Sequence, residues 1–270
     1  MQHRSISALS IGIKGAGEMA SAIAWRLHMA NIRKIFMMEI PCPLAVRRGV
    51  CFCEAVHDGC KTVEGVEAIK ADSADHVGGI WKEGKIAVLV DPGWKAREKL
   101  HPDVILDAIV AKKNLGTART DAGLVIGLGP GFVAGSDVHM VIETNRGHNL
   151  GRVIATGSAE PDTGVPGDIG GYTQERVLRA PAGGMFRTPK AIGDLVKTGE
   201  VVGEVAGMEI RTRIGGVVRG LIRPGIEVAQ GAKLGDIDPR GDRSYCFSIS
   251  DKARAIAGAA LEAVFRVYNR

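Results

Sequence analysis

An internal repeat constrains this chain more than any other feature. Arg179, Gly183, Gly184, Met185, Phe186, Gly193, Val196, Gly199 and Gly203 recur 32 residues later as Arg211, Gly215, Gly216, Val217, Val218, Gly225, Val228, Gly231 and Gly235. Glycines set between apolar residues at a kept spacing mark a duplicated supersecondary unit. Two such β units should pack face to face as a small barrel-sandwich, and the pattern resembles biotinyl and lipoyl carriers. Those carriers present a modified Lys on the hairpin joining the halves. Here that hairpin is Glu204 to Glu209, and no Lys occurs between Lys197 and Lys233, so a carrier role is excluded by chemistry.

The N-terminal part follows a different grammar. The run Ser10–Lys14 leads into Gly15-Ala16-Gly17-Glu18-Met19-Ala20, then a helical face of Ala20, Ile23, Ala24 and Leu27. A second run, Ile35 to Met38, ends at Glu39. Strand, Gly-x-Gly-x-x-Ala turn, helix and strand with a terminal acid is the dinucleotide-binding arrangement. Gly15 would permit the tight turn, and Gly17 would let a pyrophosphate approach the helix N-terminus. Glu39 on a ribose would favour NAD over NADP. Ile86–Val90 is a buried-strand run closing at Asp91, and acids at carboxyl strand ends face the ligand crevice. Asp107, inside another apolar run, needs a partner if buried, and Lys112 is in reach along the chain.

A second glycine-rich strand end lies at 126–151. The run 123–126 feeds into Gly127, Gly129, Pro130, Gly131 and Gly135, and Val138–Thr144 carries His139 and Glu143 before Asn145-Arg146-Gly147-His148. Gly129 and Gly131 free backbone N–H groups for an anion, and Arg146 and His148 could add positive charge. The plain alternative is a tight turn with solvated polar residues. Arg47 and Arg48 are further phosphate candidates, set against ordinary exposed charge. Asp162-Thr163-Gly164 matches the aspartic-protease triplet in letters only, because it sits between Pro161 and Pro166 rather than after an apolar strand.

Composition narrows the class. The chain has 270 residues, 45% hydrophobic and 24% charged, with a formal net charge of +5. Basic residues are scattered and only 4% of residues are aromatic, which argues against nucleic acid and for a small anionic ligand. No apolar run approaches the ~18 residues that span a bilayer. The opening Met-Gln-His-Arg-Ser has no apolar signal core behind it, and five cysteines form no secreted framework, so a cytoplasmic protein is expected. Cys42, Cys51, Cys53, His57 and Cys60 lack paired Cys-x-x-Cys spacing, so no metal is expected there; Cys51 and Cys53 read as one strand face.

The expected fold is therefore α/β: a Rossmann-like ligand-binding domain at 1–158, a linker at 159–176, a barrel-sandwich-like β domain at 177–248, and a C-terminal helix at 249–270. Ser250 reads as its N-cap. The Ala-rich spacing of that helix also suits a subunit contact.

Several blocks together resemble a known family: GAGEMA, VRRGVCFCEAVHDG with VEGVEA, AKKNLGT, GLGPGFVAGSDVHMVIETNRGHNLGRVI, DIDPRGD and SDKARAIAGAALEAV. They look like the YqeB family of selenium-dependent molybdenum hydroxylase maturation proteins, nearly end to end. The resemblance implies a role in equipping such hydroxylases, with the apo-hydroxylase or other maturation proteins as partners. It supplies no catalytic residues. The ligand expected at Gly15, Gly17, Glu39, Asp91, Gly129, Gly131, Arg146 and His148 is NAD or a molybdopterin-type cofactor. The alternatives are an NAD-dependent oxidoreductase using His139, His148 or Glu143 as general acid–base, and a non-catalytic scaffold in which both glycine turns are structural.

Overall fold

In the computed structural model, which describes residues 5–269, the chain divides into two units. The first comprises residues 1–43, 51–162 and 249–270; the second comprises 44–50 and 163–248. The opening Met-Gln-His-Arg, read above for a missing signal core, lies outside the described residues.

The first unit is built on β1 (Ser10–Lys14), α1 (Glu18–Met29), β2 (Lys34–Glu39), α2 (Ala55–Asp58), β3 (Cys60–Val63) and β4 (Val66–Ala71). It continues through α3 (Val77–Lys82), β5 (Ile86–Val90), α4 (Ala96–Leu100), β6 (Val104–Asp107), β7 (Leu124–Leu128), β8 (Met140–Ile142) and β9 (Val153–Ile154). Nine strands form one sheet in the order β3-β4-β5-β2-β1-β6-β7-β8-β9. The middle seven are parallel, whereas β3 and β9 run antiparallel to their neighbours at the two edges. Parallel strands buried on both faces read as continuous apolar runs, which is why β1, β2, β5 and β7 stand out in the sequence. Gly12 shows how tightly this core is filled: a Cβ there would lie 2.7 Å from both Phe36 and Ile105.

The second unit contains β10 (Val177–Arg179), β11 (Gly184–Arg187), β12 (Leu195–Val196), β13 (Val201–Val205), β14 (Met208–Arg211), β15 (Gly216–Leu221), β16 (Glu227–Val228) and β17 (Lys233–Asp238). They form two antiparallel sheets, β10-β17-β15-β12 and β14-β13-β11-β16. Phe186, Val202, Val205, Val218, Leu234 and Ile237 fill a common core. The chain closes with α5 (Asp251–Tyr268), which returns to the first unit.

This overturns the expected fold class of a Rossmann-like domain, a barrel-sandwich hybrid and a separate C-terminal helix. A doubly wound domain carries a crossover helix between successive parallel strands. Here only α1, at 12 residues, is of full length; α2, α3 and α4 have four, six and five. Among the described residues no α-helix joins β6 to β7 or β7 to β8, and the sheet is mixed. The glycine turn specified one βαβ unit and was silent about the rest. In the second unit, neither half of the repeat forms a sheet to lay against the other. Strands related by the 32-residue spacing (β10/β14, β11/β15, β12/β16, β13/β17) are distributed so that each sheet takes two from each half.

The terminal helix is part of the first unit's core. Its buried face, Ala253, Ile256, Ala257, Ala260 and Val264, packs on α1, whose buried face includes Ala20, Ile23, Ala24 and Leu27. Ser250 is its N-cap, accepting the Ala253 amide at 3.3 Å.

Candidate functional site

The carboxyl ends of the parallel strands are where an open α/β sheet gathers its chemistry. At the end of β1, Gly15 adopts φ +90, which only glycine takes freely, and Gly17 caps α1. Ala16 between them has its backbone fully engaged. Its N–H donates to the Glu39 carboxylate at 2.7 Å, and its carbonyl accepts the Cys53 amide at 2.9 Å and the Ser21 hydroxyl at 3.0 Å. Glu39 also accepts the Ile40 amide at 2.8 Å. Burial pushes the Glu39 carboxyl above its ordinary range, and these two amides oppose the push. The acid expected on a ribose instead closes the glycine turn from inside.

Asp91 is likewise spent on local structure. Its carboxylate accepts the Ala96 amide at 2.7 Å at the start of α4, and its own amide donates to the Glu39 carbonyl.

The second glycine stretch is closed in the same manner. Gly129 donates to the Ile142 carbonyl at 2.9 Å, and a Cβ on it would sit 2.5 Å from the Thr144 hydroxyl. A Cβ on Gly131 would strike the Lys113 backbone at 2.6 Å. Both glycines permit close packing of chain on chain. Glu143 is buried, and its two carboxylate oxygens accept the amides of Asn145 and Glu160, each at 2.7 Å. Arg146 makes a two-pronged ion pair with Asp251 at the start of α5, at 2.6 and 3.1 Å. His148 belongs to the outer turn 148–152. His139 accepts the Val125 amide on Nδ1 at 3.0 Å; burial and the charge of Arg119 lower its pKa. Ser250, the neighbour of Asp251, donates its hydroxyl to Glu18 at 2.8 Å, so the Arg146 pair adjoins the start of α1, whereas His148 is exposed.

The residue that sequence reading missed is Lys14. It ends β1, is fully buried, and stands in register with Asp107 on β6. Its Nζ donates to the Thr117 hydroxyl at 2.9 Å and to Asp121 at 3.0 Å, with the Trp94 ring centre 5.8 Å away. Thr117 in turn donates to Asp107 at 2.5 Å. Burial pushes the Asp107 carboxyl above its ordinary value; the Thr117 hydroxyl, the Ile109 amide and the Lys14 charge hold it back. Lys112, the expected partner of Asp107, pairs with Asp162 at 2.6 Å instead. Trp94, beside Lys14, takes positive φ (57), as do Val110 (58) and Lys112 (62) in the segment that follows β6. A charged residue closing an apolar run directly before a glycine turn was the available signal for Lys14.

Arg47 and Arg48, the further phosphate candidates, both bond backbone carbonyls. Within the second unit Arg47 donates to the carbonyls of Tyr245 and Ser248, and Arg48 to that of Leu221. Cys51 and Cys53 are both buried, but Cys51 precedes and Cys53 lies within a 3-10 turn, so they do not share a strand face. Among the described residues, no group of three or more His, Cys, Asp or Glu could hold a metal ion. No helix among them is long and apolar enough to cross a membrane.

No protein-family model matches the chain. Over 258 residues it is 48% identical to "Uncharacterized protein YqeB" of Escherichia coli (strain K12), which supports the YqeB label carried by the motif blocks. The alignment takes in 96% of this chain and 48% of that protein, so the chain spans about half the length of the curated relative it matches. Among solved structures, an aspartoacylase family protein from Mesorhizobium loti is 13% identical, with 85% of this chain and 84% of that one covered and a TM-score of 0.28. The ectoine utilization protein EutE (DoeB) from Ruegeria pomeroyi is also 13% identical, covering 84% and 56%, at a TM-score of 0.24.

Proposed function

We propose that this chain is part of a cytoplasmic maturation factor for selenium-dependent molybdenum hydroxylases, and that it works by docking the apo-hydroxylase. The resemblance of the motif blocks to the YqeB family, whose label the 48% identical relative supports, suggests the system. The observation that carries the docking reading is that carboxylates of the chain itself hold amides at both glycine stretches, Glu39 on Ala16 and Glu143 on Asn145 and Glu160. An amide already held by a carboxylate of the chain is not offered to an anionic ligand. The second unit offers adaptable apolar contacts: Met185, Leu195, Met208 and Phe247 are each more than half exposed. Truncation after Tyr172 is a poor test, because it removes α5 from the first unit. The better experiment measures binding of purified apo-hydroxylase to the intact chain and to the Met185→Ser, Leu195→Ser, Met208→Ser, Phe247→Ser combination. Affinity should fall at least tenfold in the combined variant, and equal affinity would reject docking through this unit.

A second reading is favoured by one observation, the positive φ of Trp94 beside Lys14 and of Val110 and Lys112 just after β6. Strain of this kind concentrates at ligand clamps. In this reading a molybdopterin-type ligand meets the loops carrying Trp94 and Val110. Adding the cofactor should then change the indole fluorescence of the wild type but not of Trp94→Phe. Identical responses in the two proteins would eliminate it.

A further inference from the structure

The repeat in the second unit creates a feature that neither half has alone. A cavity of about 230 Å³ opens between β10 and β14, strands that occupy equivalent places in the two halves. Positions 177, 178, 179 and 181 line it from one half, and positions 209, 210, 211 and 213 line it from the other, each shifted by the same 32 residues. Equivalent positions meeting across one hollow place it on the internal two-fold of the repeat. Arg179 and Arg211, the pair that opens the two copies of the repeat, thus face a common space, and Arg213 joins them.

The charges in the hollow are unbalanced. Three arginines line it against one carboxylate, Glu209, which is paired to Arg211 at 2.5 Å. Arg179 uses one nitrogen on the Gly231 carbonyl at 3.0 Å, and Arg211 uses one on Gly199 at 2.9 Å, so both side chains are held in place while keeping further N–H groups. Among the described residues Arg213 makes no hydrogen bond; Glu175 lies within electrostatic reach of it. A guanidinium presents paired N–H donors in a plane, matched to an O–O edge of an oxyanion. A tetrahedral anion offers such edges on opposite sides, as two repeat-related arginines require, whereas a carboxylate offers one. The volume is below the range of drug-sized ligand pockets, which points to an ion or a single phosphate group.

We propose that this hollow binds a small tetrahedral oxyanion of the phosphate type between Arg179, Arg211 and Arg213. The site is independent of the docking reading and survives or fails without it. Calorimetric titration of the full chain with inorganic phosphate and with methyl phosphate, at low and fixed ionic strength, tests it. Saturable binding of one ion per chain is expected. Arg213→Gln, which disturbs no hydrogen bond in the fold, should weaken it about tenfold, the worth of one charge-assisted hydrogen bond. Arg187→Gln, in the same unit but paired with Glu204 beside a different hollow, should leave it unchanged. Tighter binding of inorganic phosphate supports the site and identifies a free ion; tighter binding of methyl phosphate supports it and identifies a phosphate group on a larger molecule. Saturation by neither ligand, or equal weakening by Arg213→Gln and Arg187→Gln, overturns the proposal.

Discussion

At Lys14 a side chain with a full charge is removed from water, and its surroundings decide whether that costs or stabilises. Thr117 and Asp121 accept its hydrogens and Asp107 stands beside it, so the charge is compensated by fixed partners. Removing one member of such a group leaves the others buried without it, a cost of ~3–5 kcal/mol. Lys14→Met should therefore lower stability by about that amount in urea unfolding, and adding Asp121→Asn should recover part of the loss. A change below ~1 kcal/mol would show that the network does not hold the sheet. The glycines of the first turn separate along the same line. Gly15 sits at φ +90 with Ala108 and Ile109 close by, so Gly15→Ala should cost about 1–2 kcal/mol. Gly17 has φ −71 and open space where a Cβ would go, so Gly17→Ala should stay within about 1 kcal/mol of wild type. A pyrophosphate-binding turn would need Gly17 for its ligand; this one has no structural need of it.

Among the elements, β17 carries the unit's densest charge. Asp236 and Asp238 are buried on it, with Arg176 and Arg219 on Asp236 and with Arg219 and Arg240 on Asp238. Burial alone would raise the Asp238 carboxyl, but the hydrogen bonds from Arg240 and the charge of Arg219 outweigh it and hold the pKa below the ordinary 3.8. A carboxylate with a depressed folded pKa stabilises the fold above its unfolded value, and that stability is lost as pH falls through the folded one. The second unit should lose stability on acidification below about pH 4, and Asp238→Asn should flatten that limb of the urea midpoint against pH. An unchanged acid limb would mean that Asp238 is not the group being titrated. Elements of this kind were partly legible. The runs of β1, β5 and β7, the helical face of α1, the Ser250 cap and the repeat spacing are local patterns, and local patterns are what periodicity reports. Three things were not local. Glu39 turning back on Ala16 joins residues 23 apart, and the Lys14–Asp121 pair joins residues 107 apart. The exchange of strands between the repeat halves depends on which edges meet, and spacing does not encode it.

For the whole molecule, the informative feature is the path of the chain. The second unit is not one continuous stretch: residues 44–50 leave the first unit's sequence after β2 and enter it. Val46 accepts the Leu221 amide at 2.8 Å, Arg48 donates to the Leu221 carbonyl at 2.7 Å, and Arg47 holds the carbonyls of Tyr245 and Ser248. The fit is close, since a Cβ on Gly220 would lie 2.7–2.9 Å from Val46 and one on Gly49 would lie 2.5 Å from the Cys246 carbonyl. A fragment of 163–248 alone keeps both sheets yet loses these partners, leaving the Leu221 amide and several carbonyls to find water. Each unmade buried hydrogen bond costs about 1–3 kcal/mol, a large part of what a unit of this size has. The isolated fragment should therefore melt with low cooperativity, and a synthetic peptide of residues 41–52 added in trans should raise its melting temperature in proportion to peptide concentration. The same peptide with Arg47→Gln and Arg48→Gln should raise it less. If the fragment melts as sharply without the peptide as with it, the 44–50 segment only passes over the β unit, and the two glycines that let it approach were placed for another reason.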